Sequence, residues 1–375
     1  MNTLNYIGSK KTLLKSIHKV FSENLQNMED LILADLFAGT GTIGFNFQNI
    51  FKSIISNDLE YYSFIINKAL LCCNYSEKLQ IIINDCNILP EIEGLIYNTF
   101  SPTVSNRMFF TDENSKKCDS IRINIEKLKT ENIIDENEYF FLIASLIVSI
   151  DKVANTSCVY GAFLKKFKKS ALKELILVPI HKKINIIEGN NKVLNELAEN
   201  IKNSEQSSSE TRDITISPNQ EVTESEKNVY YDIAYLDPPY NQRQYSSNYS
   251  PLNYISYYDE NIKIKGKTGL IENYNKSKFC SKTHIVNVFT NIISNLKCKY
   301  IVLSYNNEGL LSFNKMKELL LEKGNVKLYK IKYNKFKSNK NIKKNKVDEY
   351  IWFVNTKEYS KNPNIFEEIE TILVL

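Results

Sequence analysis

Apolar positions follow two rhythms along this chain. Short, nearly continuous apolar runs mark strands buried on both faces: Leu31–Leu36, Ser53–Asp58, Tyr231–Leu236, Lys299–Ser304 and Glu349–Val354. Lys183–Gly189 has the same character, and Ile81–Asp85 reads as a further strand with an acid at its tip. Helical spacing governs Thr12–Phe21, Cys118–Lys129, Glu136–Ala154 and Val193–Ile201. In the third of these Phe140, Phe141, Ile143, Ala144, Ile147 and Val148 recur near the helical period. Residues 1–91 alternate strand and helix, as half of a doubly wound sheet does. Residues 92–182 interrupt that alternation with helices, and residues 183–375 return to it. Within the last segment, residues 203–229 are rich in Ser, Glu, Thr and Asn and read as a disordered excursion. No internal repeat is visible.

Composition narrows the class. A chain of 375 residues can bury one large core or two modest ones. No apolar run is long enough to span a bilayer, and the first residues lack a charged-then-apolar signal segment, so a cytoplasmic location is expected. The seven cysteines show no Cys-x-x-Cys spacing and read as reduced thiols without a metal, while His18, His181 and His284 stand isolated. The net charge of +5 is mild but uneven. Lys330–Lys346 holds eight lysines and no acid, and Phe163–Lys169 is a second basic stretch with aromatics. Each fits either a phosphate backbone or plain solvent. Arginine is rarer: Arg107, Arg122, Arg212 and Arg243 are the full set. Against a lysine-rich background an arginine suggests bidentate bonding to guanine or phosphate, with Arg243 the first choice.

Two motifs carry the chemistry. The run Tyr231–Leu236 ends in Asp237-Pro238-Pro239-Tyr240, which sets a carboxylate, a rigid turn and an aromatic face at a sheet edge. The prolines fix φ and remove two donors, leaving the carbonyls of Asp237 and Pro238 to accept. An acceptor cluster beside a π-face suits a planar base with an exocyclic amino group. Leu31–Leu36 is followed by Phe37-Ala-Gly-Thr-Gly-Thr-Ile-Gly44, a glycine turn opening a helix, where free N–H groups favour an adenosine cofactor. Gly39, Gly41 and Gly44 also meet the dinucleotide spacing, and Asp58 would take ribose hydroxyls of either cofactor. Asp-Pro-Pro-Tyr decides between them, because hydride transfer has no use for it.

A third motif, Asn5-Tyr-Ile-Gly-Ser-Lys10, precedes the first helix. Together the three resemble the Dam-like DNA adenine methyltransferases, in which a Gly-Ser/Gly-Lys segment precedes the cofactor glycines and Asp-Pro-Pro-Tyr comes last. The chain is similar to a subgroup with Arg107-Met-Phe-Phe-Thr, Asp119-Ser-Ile-Arg122, Lys152-Val-Ala-Asn-Thr156, Tyr160-Gly-Ala-Phe-Leu-Lys165 and Ser304-Tyr-Asn-Asn-Glu-Gly309. The resemblance implies an α/β fold: a Rossmann-like class I methyltransferase sheet, doubly wound, with a helical insertion at 92–182 for DNA recognition. It implies S-adenosylmethionine as cofactor, held by Tyr6, Gly8, Lys10, Asp35, Phe37, Gly39, Gly41 and Asp58. Lys10 equally suits a helix cap or a DNA contact. Asp237, Pro238, Pro239 and Tyr240 would act on a flipped adenine in double-stranded DNA. Arg107, Arg122, Asn155, Tyr160, Lys165, Arg243, Tyr245 and Asn248 are DNA-contact candidates, with Asn155 as readily closing a turn. Asn241–Tyr249, polar and aromatic, reads as a lid outside the core. The expected role is the modification enzyme of a restriction–modification system, with a cognate endonuclease as possible partner. An orphan adenine methylase, a cytosine or RNA substrate, a silent DNA-binding protein on this fold and a nicotinamide oxidoreductase are the rivals.

Overall fold

A computed structural model describes residues 1–187, 189–203, 228–334, 346–357 and 365–371. They gather into two compact units, each built from non-contiguous segments: 10–59, 189–243 and 276–375 in one, 1–9, 60–188 and 244–275 in the other. These units cross the boundaries expected at 91/92 and 182/183.

The first unit is a sheet of eight strands: β1 (Ile32–Asp35), β2 (Ser53–Asn57), β3 (Lys192–Leu194), β4 (Ile233–Leu236), β5 (Tyr300–Asn306), β6 (Gly324–Asn334), β7 (Lys346–Thr356) and β8 (Phe366–Thr371). Their order is β8-β6-β7-β5-β4-β1-β2-β3. The block from β5 to β3 is parallel throughout, and β7 runs antiparallel to both β5 and β6. The chain steps from β1 outward to β2 and β3, then returns to lay β4 on the other side of β1. That reversal makes a topological switch point, where open α/β sheets bind ligands. β1, β2 and β4 are buried along nearly their whole length, which explains their unbroken apolar runs. One face packs on the helices Ile285–Asn295 and Phe313–Lys323, around Phe289, Leu303, Leu320 and Trp352.

The second unit is helical. Its centre is Glu136–Lys152, buried at every position from Phe140 to Asp151 and started by an Asp135–Glu138 capping box. The helices Tyr61–Cys72, Glu77–Asn87, Asp112–Thr130 and Ser250–Tyr257 belong to the same unit. Phe64 meets Phe140 edge to face, and Tyr61 stacks flat on Tyr257 at 4.4 Å. No helix among the described residues is long and apolar enough to cross a membrane, and all seven cysteines are free.

Several expectations need correction. Ile81–Asp85 is not a strand but part of the helix Glu77–Asn87. Ser76 caps it by accepting from the Leu79 N–H, and Leu79, Ile82, Ile83 and Cys86 face inward. Lys183–Gly189 forms no strand in its described part; Ile184 and Ile187 are exposed. The strand falls a few residues later, at β3, overlapping the start of the expected helix Val193–Ile201, and only a short 3₁₀ turn, Ala198–Asn200, follows. Asn191 marks that shift, since its side-chain carbonyl accepts from the Ile54 N–H beside β2. Asn241–Tyr249 is not wholly outside the core, because Ser246 and Tyr249 are buried. The excursion 203–229 falls almost entirely, and Arg212 and much of Lys330–Lys346 fall, outside the described residues.

Candidate active site

In the sheet unit, β1 and β4 end side by side. Asp35 pairs with Tyr235, and the Leu36 N–H donates to the Tyr235 carbonyl at 3.1 Å. The glycine turn and Asp237 therefore leave the sheet at one edge. Gly39 and Gly41 take φ of 52° and 70°, the left-handed region that a side chain strains. The turn is tied to β2: Ala38 N–H donates to the Asn57 carbonyl, and Gly39 N–H donates to Asp58 Oδ2 at 2.7 Å. Asn57, which the motif reading passed over, donates its amide to the carbonyls of Leu36 and Glu196. An amide beside the acid at a strand tip was its only signal.

Asp35 is buried, and its Oδ1 has no hydrogen-bond partner among the described residues. Burial, then the nearby Asp237 charge, push its carboxyl well above the usual range, against the Phe37 backbone N–H. An unmet buried acceptor costs on the order of 1–3 kcal/mol. A cationic ligand group at the turn relieves that cost. Left-handed glycines, an orphaned acid and Asp58 at the next strand tip form a donor and acceptor set that fits S-adenosylmethionine.

Asp237 faces an ion pair that the motifs did not reveal. The Lys10 ammonium, 5% exposed, lies 2.8 Å from Asp237 Oδ1 and 3.2 Å from Glu349 Oε1. Ser304 donates its hydroxyl to Glu349 at 3.2 Å. Burial works against the ammonium, but Asp237 and Glu349 outweigh it and hold the amine well above its ordinary pKa. Burial raises the Asp237 carboxyl to about 6; Lys10 pulls it down and Glu349 pushes it up. Lys10, expected among cofactor residues, is thus an internal counter-ion.

Tyr240 is half-buried, its ring edge-on to Tyr305 at 6.0 Å, and its carbonyl accepts from the Leu310 N–H. Gly309 lets the chain pass over Tyr305: a Cβ there would lie 2.1 Å from the ring. The word Ser304–Gly309 therefore shapes the surroundings of both Asp237 and Tyr240. Pro238 is buried, Pro239 half-buried, and no described residue donates to the Pro238 carbonyl. Arg243, in this unit, is exposed.

The helical unit holds the remaining candidates. Tyr6 stacks on Tyr249 at 4.9 Å, with Tyr245 at 5.4 Å. Gly8 takes a φ of 81°. Asp151 holds this segment by accepting from the Asn5 N–H at 2.9 Å, and also from the Tyr160 hydroxyl. Three DNA-contact expectations fail on burial. Arg122, 1% exposed, donates to the carbonyls of Ile255 and Ser256 and pairs with Glu126, so it closes a helix end. Asn155 donates to the carbonyls of Met108 and Leu164 and accepts from Lys168 N–H, which closes a turn. Tyr160 is buried with its hydroxyl on Asp151. Arg107 spends its guanidinium on the carbonyls of Thr99, Gly266 and Lys267. Lys165 is exposed; Tyr245 and Asn248 are half-buried, the Tyr245 hydroxyl on the Ile7 carbonyl.

Comparison with known proteins matches residues 6–206 and 190–319 to the model of the D12 class N6 adenine-specific DNA methyltransferases. The Type II methyltransferase M.NlaIII of Neisseria lactamica is 41% identical, over 93% of this chain and 98% of its own. The Type II methyltransferase M.CviAII of Paramecium bursaria Chlorella virus 1 is 38% identical, over 94% and 99%. M.FokI of Planomicrobium okeanokoites is 34% identical over 94% of this chain but 52% of its own length.

Proposed function

The chain belongs to the D12 class of N6 adenine-specific DNA methyltransferases, and from that premise we propose that it modifies adenine at one specific site in duplex DNA, with Asp237 as the acceptor for the reacting amino group. S-adenosylmethionine is the cofactor, and when bound it supplies an electrophilic methyl group. Asp35, Phe37, Gly39, Gly41 and Asp58 would hold it.

An adenine amino nitrogen is a poor nucleophile because its lone pair is delocalised into the ring. Two acceptors at the Asp-Pro-Pro-Tyr turn counter this: Asp237 Oδ2 and the Pro238 carbonyl would each accept a hydrogen bond from one amino N–H. The nitrogen becomes pyramidal and its lone pair localises. Asp237 is the group placed to take up the released proton. Positioning and fixed charge supply the acceleration, with no covalent bond to the protein. The base reaches this turn only after leaving the duplex stack, and Tyr240 would stack on it for about 1–3 kcal/mol.

The observation that carries this reading is the shared edge: the orphaned Asp35 and the glycine turn leave β1 where Asp237 leaves β4. The relatives' names support a place in a type II restriction–modification system, with a cognate endonuclease as partner and action in the cytoplasm. The helical segment 92–182, with exposed Lys165, and Arg243 beyond the Asp-Pro-Pro-Tyr turn remain the candidates for DNA contact. Incubation with labelled cofactor and duplex DNA, followed by nucleoside analysis, tests the proposal. N6-methyladenine at one recurring sequence is expected; label on cytosine, or in RNA alone, contradicts it.

A further inference from the structure

We propose that Glu349 is a positioning residue for methyl transfer, sharing the Lys10 ammonium so that Asp237 stays a strong acceptor for the adenine amino group. The inference rests on Asp237 being that acceptor.

β7 runs against its parallel neighbours, so its first described residues reach the edge where β4 and β5 end. Glu349 lies opposite Asn306 at the end of β5. It is the one charged side chain beside the apolar run Tyr-Ile-Trp-Phe-Val, and it is buried. An apolar side chain there would be the cheaper choice for stability, because a buried carboxylate loses hydration that an ion pair only partly returns. Stability alone therefore does not explain it.

Charge does. Lys10 and Asp237 by themselves form a neutral pair, in which the full ammonium charge weakens the carboxylate as an acceptor. Glu349, 3.2 Å from the same ammonium, divides that positive charge between two acids. The three groups, two of them buried, then sum to one negative charge, and half-buried Asp237 is the member at the Asp-Pro-Pro-Tyr turn. Ser304 fixes the arrangement by donating to Glu349 from β5. The other titratable groups acting around Asp237 are Asp35 on β1, itself influenced by Asp58, Tyr235 on β4, and Tyr240 beside Lys10. Glu349 shares the Lys10 charge with Asp237 at salt-bridge distance.

The test is Glu349→Gln in the full chain, with kcat/KM on duplex DNA measured from pH 5 to 8 and S-adenosylmethionine affinity measured calorimetrically. Expected are unchanged cofactor affinity, an acid limb moved down by roughly half to one pH unit, and a plateau kcat lowered ~10-fold. Glu349→Asp, which keeps the charge, should return the limb towards its original position. A Glu349→Gln enzyme with the original limb and kcat overturns the proposal, as does one that has lost cofactor binding. The wild-type profile separates the two levels. An absent acid limb, or full activity in Asp237→Asn, removes the acceptor reading and this inference with it. A normal limb that ignores Glu349 removes this inference alone.

Discussion

At the scale of single residues, Asp237 is the proposed acceptor for the adenine amino group, and Lys10 is its counter-ion. With its carboxyl raised to about 6, the active carboxylate is lost as pH falls below that value. The kcat/KM profile should show an acid limb near pH 6 that is absent from residual activity in Asp237→Asn; a profile flat down to pH 5 contradicts this. Stability runs the other way. The folded value lies above the ordinary 3.8, so this carboxyl favours the fold most below about pH 4, and its contribution fades as pH rises through about 6. The site is thus bought with some stability at working pH. Lys10→Met takes that counter-ion from buried Glu349 and half-buried Asp237. Breaking such a pair costs on the order of 3–5 kcal/mol, so a clearly lowered Tm and a limb displaced to higher pH are expected. An unchanged Tm would show the pair to be incidental. Asp237, Asp35 and the glycines were legible from their motifs. The Lys10–Glu349 contact was not, because an ion pair between residues so distant in sequence leaves no local spacing.

Secondary-structure elements explain which readings succeeded. β1, β2 and β4 are buried on both faces, so continuous apolar runs announced them. The helix Glu136–Lys152 announced itself by its apolar period and length, although burial from Phe140 to Asp151 hid any polar face there. Ile81–Asp85 failed because three consecutive isoleucines fit either period; the cap at Ser76 decides for the helix, and leaves Ile81 exposed. Arg122 and Tyr160 were read towards DNA from rarity or from a long motif word, and for Asn155 the equally open alternative of closing a turn is the one the structure shows. Each instead satisfies buried carbonyls or a buried carboxylate. Gly309 offers an element-scale test. An alanine Cβ there meets the buried Tyr305 ring, which in turn faces Tyr240. Gly309→Ala should reduce methyl transfer ~10-fold or more while cofactor affinity holds. Normal turnover would mean that the ring moves without disturbing Tyr240.

For the whole molecule, the sheet unit carries the proposed catalytic and cofactor edge at its switch point, and the helical unit is tied together by Asp119, Arg122, Asp151 and Asn155. A mild net charge of +5 leaves DNA affinity to particular side chains. Arg243→Ala should weaken duplex binding and lower the salt slope by about one, the signature of a lost phosphate contact. Arg122→Met should lower Tm and leave that slope unchanged; the reverse pattern would return Arg122 to the DNA interface. All of this depends on the shared edge of β1 and β4. Its most direct test is Asp237→Ala, with methyl incorporation into duplex DNA and S-adenosylmethionine affinity measured on the same preparation. The account predicts a loss of incorporation of at least ~10³-fold with cofactor affinity within a few-fold of wild type. Incorporation that survives the substitution would contradict it.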